Sequence, residues 1–134
     1  MRLRAAMVVL AAAVPLAGCG LDVESPDLFQ VTRSGPGPGL TMLVNGSGTI
    51  SCNRGKAKQL PDPLLLQARA LSDSLNNDVK LHFARSAHSV FSYTVKVPNG
   101  TFTFPDTAAS TRKELAQLEL FVVQAGGDPC GLSP

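Results

Sequence analysis

The side chains best suited to chemistry in this chain of 134 residues are three cysteines and two histidines. His82 and His88 lie close together in the sequence, with Asp78 nearby. Their spacing fits no regular ligand pattern, and a zinc site commonly needs three or four ligands. We therefore interpret both histidines as surface or partly packed residues, and we expect neither a metal nor a cofactor.

The sequence contains no recognised catalytic motif. It has neither the Gly-x-Ser-x-Gly elbow of serine hydrolases nor the His-Glu-x-x-His pair of zinc proteases. Gly46-Ser47-Gly48 is explained by turn chemistry. The sequence therefore favours a protein that is not an enzyme, and a site assembled from distant residues is the alternative.

The first 18 residues follow the pattern of an export signal. Arg2 and Arg4 give a short basic start, and residues 5–14 form an apolar segment. That segment is too short to cross a bilayer, which takes about 20 apolar residues. We expect residues 1–18 to be a signal peptide that is removed.

The end of this signal and the next residue, Leu16-Ala17-Gly18-Cys19, resemble the lipobox of bacterial lipoproteins, in which a branched apolar residue and two small residues precede a cysteine. The resemblance implies that Cys19 is lipid-modified and begins the mature chain on the extracytoplasmic face of the cell membrane. Several acyl chains together make a firm anchor, so lipid would supply the membrane contact and residues 19–27 the tether. The alternative is an ordinary signal peptide with a chance cysteine.

The lipobox resemblance also bears on the odd number of cysteines. If lipid occupies Cys19, then Cys52 and Cys130 remain as an even pair in an oxidising compartment. We expect a disulfide between them. Two free buried thiols are the alternative.

The charge of the mature chain is balanced. The full chain has 12 Lys+Arg and 10 Asp+Glu, and loss of Arg2 and Arg4 with the signal leaves no net charge. Phosphate binding needs a basic surplus, so we expect no nucleic-acid partner. The mature chain suits one small domain, placed at 28–134 and expected to be monomeric.

Alternating apolar residues predict a first strand at 28–33 and a hairpin over 40–52. The hairpin turns at residues 45–48, and a register that pairs Met42 with Cys52 puts its apolar side chains on one face. This register directs Cys52 towards the core.

A second hairpin is predicted around Asn99-Gly100, a preferred two-residue turn. Pairing across it places Val97 opposite Phe102 and Val95 opposite Phe104. The connection at 78–88 is ambiguous between a strand and an extended segment.

Two helices complete the predicted fold. Asp62 is the expected N-cap of a helix that runs to about Asn77, and Thr111 with Glu114 forms an expected capping box for a second helix that ends at residues 126–127. The predicted class is α+β: an antiparallel sheet of four to five strands, made of two hairpins and an N-terminal strand, with two helices packed on one face.

Two polar regions are candidate binding surfaces. The segment 54–59 is predicted to be a basic loop able to meet anionic headgroups or an acidic partner. The second hairpin presents a polar face opposite its apolar one, although such faces are common on one-sided sheets. The candidate residues are Arg54, Lys56 and Lys58 in the loop, and Thr94, Lys96 and Thr103 on the sheet face.

The whole mature chain resembles small actinobacterial envelope lipoproteins that have no assigned activity. The residues that carry this resemblance are Pro26-Asp27-Leu28-Phe29, the paired cysteines, and Ser89-Val90-Phe91. The resemblance brings no catalytic residue with it. We expect a non-catalytic module that binds an envelope protein or polymer, and the alternative is an anchored inhibitor or modulator of a secreted enzyme that uses loops 34–39 and 54–59.

Overall fold

The computed structural model describes residues 25–132. The predicted signal peptide, Cys19 and the first part of the tether lie outside the described residues.

The fold is built on an open antiparallel sheet of six strands in the order β4-β3-β2-β1-β5-β6. The expected α+β class is confirmed, with a strand count slightly higher than predicted. The added strand is β4, which lies within the predicted basic loop and pairs with β3. The strands are β1 Asp27–Ser34, β2 Leu40–Asn45, β3 Thr49–Cys52, β4 Lys58–Gln59, β5 Ser92–Val97 and β6 Gly100–Pro105.

The first hairpin has the predicted register. Met42 lies opposite Cys52, and Val44 lies opposite Ile50. Cys52 is partly buried against the core and forms a disulfide with Cys130, with Cα atoms 5.7 Å apart.

The predicted register of the second hairpin is wrong by two residues. Val95 lies opposite Phe102, and the turn residues are Pro98 and Asn99. An Asn99-Gly100 turn would require the backbone N–H of Pro98 to donate a hydrogen bond to the opposite strand. Proline has no N–H, so this closing bond cannot form. Its fixed φ suits the second position of a turn instead. A shift of two residues keeps every side chain on its predicted face.

Two helices, α1 Asp62–Asn76 and α2 Lys113–Gly127, cover one face of the sheet, and a short 3-10 helix at Asp106–Ser110 precedes α2. The expected cap at Asp62 is wrong, because the N–H of Leu65 bonds to the carbonyl of Pro61, which is the N-cap. Asp62 lies in the first turn, where the helix dipole favours a carboxylate.

The expected capping box before α2 is also wrong. The Thr111 hydroxyl donates to the carbonyl of Ala108 at 2.8 Å, and Glu114 forms an ion pair with Arg112. Arg112 is the N-cap, without a side-chain cap.

Helix α1 lies across the sheet end at which β1 begins. The Ser72 hydroxyl donates to the carbonyl of Leu28 at 2.9 Å, and the N–H of Asn99 in the β5–β6 turn donates to Oδ1 of Asn76 at 2.8 Å. Residues 78–88 form no strand, but Val79 and Phe83 pack against the core.

The core lies between the two helices and the covered face of the sheet. Phe29 of β1 meets Phe121 of α2 edge to face, with ring centroids 5.6 Å apart. Alternation along each strand sends the apolar side chains to this face and the polar ones to solvent. The largest fully buried side chains include Phe29, Phe104, Phe121, Met42, Ile50, Leu60, Leu75, Leu115 and Leu118.

Candidate functional site

The sheet face opposite the helices is polar. Thr94 and Thr103 are exposed directly opposite each other, with their hydroxyl oxygens 3.1 Å apart, and Lys96 is exposed one pleat along. We call this surface the open face. Its residues are Gln30, Thr32, Thr41, Leu43, Ser51, Thr94, Lys96 and Thr103.

Two shallow depressions on the open face meet at Gln30 and Leu43. Arg54 lines one of them, and Lys96 lines the other. Lys96 is the Cα partner of Gln30 across the β1–β5 pairing. The fold therefore brings these two predicted cations, far apart in sequence, to the two sides of one half-buried leucine.

The other two predicted basic residues do not join them. Lys58 lies in β4 and donates from Nζ to the carbonyl of Pro129 at 3.1 Å, next to the disulfide. Lys56 is exposed in the connection between β3 and β4. The prediction that Lys58 belongs to a loop is wrong, because the backbone of residues 58–59 pairs with β3.

The connection after β3 is held in a defined conformation. Asn53 and Arg54 have positive φ angles of 52° and 61°. Asn53 bonds to the backbone of Thr41 twice, through its N–H at 2.7 Å and through Oδ1 at 2.9 Å. These bonds fix the place from which Arg54 reaches the open face.

The two histidines are both exposed, and Asp78 is buried. Within residues 25–132, no three His, Cys, Asp or Glu side chains lie close enough together to hold a metal ion.

Asp78 belongs to an ionic cluster that sequence reasoning missed. Nη1 of Arg112 lies 3.3 Å from Asp78 Oδ1 and 3.0 Å from Glu114 Oε1. Burial and the neighbouring Glu114 raise the pKa of Asp78 to about 6, although Arg112 opposes the shift. One guanidinium thus serves two carboxylates and ties the end of α1 to the start of α2.

Glu119 is a second ionisable group that the sequence did not single out. Its Oε1 is buried without a hydrogen-bond partner among the described residues. Burial, with a smaller contribution from Asp106, raises the pKa of Glu119 to about 7. The sequence predicted the apolar stripe of α2, but no local pattern indicated that Oε1 of Glu119 is buried.

Asp106 anchors the segment that leads into β5. Its carboxylate accepts hydrogen bonds from the Ser89 hydroxyl at 2.7 Å and from the N–H groups of Val90 and Phe91, each at 3.1 Å. Burial opposes ionisation, yet these bonds hold the pKa of Asp106 below its ordinary value.

Beside this anchor lies a groove of about 440 Å³, which we call the distal groove. It lies at the sheet end where β1 finishes and β5 begins. Behind it, the Arg33 guanidinium stacks over the Phe91 ring, 4.9 Å from the ring centroid. Its lining includes Phe83, Arg85, Ser86, Phe91, Ser92 and Thr103.

Across residues 25–132, none of the helices is both long and apolar enough to pass through a membrane. Comparison with known proteins finds no matching family model, no matching curated protein and no matching solved structure.

Proposed function

We propose that the protein is a lipid-anchored envelope protein that acts as a non-catalytic binding module through its open face. The observation that carries the proposal is the helix-free polar face on which Arg54 and Lys96 flank Leu43. One-sided antiparallel sheets of this kind leave a solvated face available for contact. The partner is an envelope protein or polymer.

The start of the described chain supports an orientation for such a module. The carbonyl of Ser25 accepts a hydrogen bond from Asn45 Nδ2, and the carbonyl of Pro26 accepts one from the N–H of Gly46, both at 2.9 Å. From Cys19 to this point the chain spans at most about 20 Å. A lipid on Cys19 would therefore keep the β2–β3 turn near the membrane.

The anchor is tested by Cys19→Ser. We expect the variant to lose incorporation of labelled fatty acid and to move from the membrane fraction to the soluble fraction. A serine variant that still carries the label would sink the lipidation proposal.

The binding surface is tested by capture from envelope extract on immobilised mature protein. Arg54→Glu with Lys96→Glu should reduce retention of the captured component at least tenfold. Lys80→Glu with Lys113→Glu makes the same charge change at exposed positions elsewhere and should leave retention unchanged. Equal retention by all three proteins would rule out the open face.

An anchored inhibitor of a secreted enzyme is the second candidate. The bonds between Asn53 and Thr41 place the connection after β3 beside the start of β2, which follows the glycine- and proline-rich loop. Both loops thus lie at the end of the sheet away from Ser25. This candidate predicts a one-to-one complex with a hydrolase, which is lost when either loop is replaced.

A further inference from the structure

The distal groove combines three kinds of group that converge on one concave surface. We propose that it binds a sugar unit that carries a carboxylate, as found in an acidic polysaccharide. Its volume of about 440 Å³ lies within the range of about 300–1,000 Å³ that is common for ligand sites.

The first two kinds of group are aromatic rings and hydroxyls. Phe83 and Phe91 are half-buried and contribute apolar surface to the groove. Ser86, Ser92 and Thr103 lie in the same lining. A hydroxyl offers one donor and two acceptor positions, so these side chains suit the many hydroxyls of a sugar, while the rings suit its C–H surface.

The third kind of group is a cation. Arg85 lines the groove, and Arg33 stacks on Phe91 behind it. Neither arginine forms a salt bridge within residues 25–132. The nearby carboxylate of Asp106 is occupied by donors from residues 89–91, which leaves Arg85 able to take an external carboxylate through paired hydrogen bonds.

The position of the groove makes it accessible in an anchored molecule, a step that rests on the proposed function. Residues 25–26 are held at the β2–β3 turn. The groove lies at the other end of β1, whose eight residues span about 25 Å at the usual rise of a strand. A polymer outside the membrane would reach this end first.

The test uses the mature lipidated chain in nanodiscs of phosphatidylcholine and measures binding by calorimetry. Trigalacturonate is the carboxylated probe, and maltotriose is the neutral one. We expect saturable binding of trigalacturonate, weakened at least tenfold by Arg85→Gln. Lys56→Gln removes an exposed cation outside the groove and should leave the affinity unchanged.

Several results would overturn the proposal. They are the absence of saturable trigalacturonate binding, equal binding of maltotriose, and an equal effect of the two substitutions. A glutamate-rich peptide that binds more tightly than trigalacturonate and depends on Arg85 would make the groove a peptide site instead. The two proposals can fail separately. If the Cys19 test failed but the chain still bound trigalacturonate, the anchor would be refuted and the groove assignment would stand.

Discussion

At the scale of single residues, the ionisable groups that matter are those brought together from distant parts of the chain. Asp78 and Glu114 share Arg112, and Asp106 holds the segment before β5. Sequence reasoning treated Glu114 as half of a capping box, because local spacing was the only guide to its partner. Arg112 lies only two residues before Glu114, but the approach of Asp78 to this pair follows from the packing of α1 against α2, which local patterns do not encode.

Glu119 gives a stability prediction with a defined sign. Its pKa rises from 4.5 to about 7 on folding. Below a pH of about 4.5, the folded and unfolded states both hold the Glu119 proton. Between about pH 4.5 and 7, only the folded state holds it. The free energy of unfolding therefore falls as pH rises through this window. Glu119→Gln should raise the free energy of unfolding at pH 8 by about 1 kcal/mol, a value reduced for solvent screening.

The measurement is urea unfolding of both proteins at pH 4.5 and pH 8. At pH 4.5, Glu119→Gln should raise the free energy of unfolding only slightly. Asp73→Asn removes an exposed carboxylate from α1 and should give a pH profile parallel to that of the unaltered protein. If the pH profile of Glu119→Gln were also parallel to that of the unaltered protein, Glu119 would not be the group that lowers the free energy of unfolding in this pH window.

At the scale of elements, the side-chain alternation of both hairpins was predictable, and the turn of the second was not. An Asn-Gly pair is a strong local signal, yet the preceding Pro98 moves the turn back by one residue. Gly100 consequently occupies the first paired position of β6 with φ of 147°. A Cβ there would lie 2.7 Å from Cγ1 of Val79.

Gly100→Ala should therefore destabilise the protein by about 1–3 kcal/mol, through backbone strain and the contact with Val79. Urea unfolding measures the loss. Gly39→Ala is the matched control, because its Cβ would meet nothing within 4 Å. Val79→Ala in the Gly100→Ala background should recover part of the loss. If Gly100→Ala and Gly39→Ala were equally stable, the proposed conflict at Gly100 would be wrong.

At the scale of the whole molecule, the covered and open faces of the sheet were predictable because alternation has a period of two. Thr94, Lys96 and Thr103 were placed on the open face from the sequence alone. The placement of Arg54 and Lys96 on two sides of Leu43 was not predictable, because it depends on the strand order that puts β1 between β2 and β5. The distal groove was missed for the same reason, since Ser34 and Phe83 meet there only in three dimensions.

The disulfide joins the end of β3 to the segment after α2, across 78 positions of sequence. Closing so long a loop restricts the unfolded chain, so replacing both cysteines by Cys52→Ser with Cys130→Ser should lower the free energy of unfolding by about 2–5 kcal/mol.

Urea unfolding with and without reductant separates this effect from side-chain packing. The unaltered protein should lose stability on reduction and approach the double variant, whereas the variant should not respond. If native oxidised protein offered alkylatable thiols at both positions, or if reduction left its unfolding unchanged, the bridge would not stabilise the fold. The expected loss is large for a domain this size, because it compares with a total stability of about 5–15 kcal/mol.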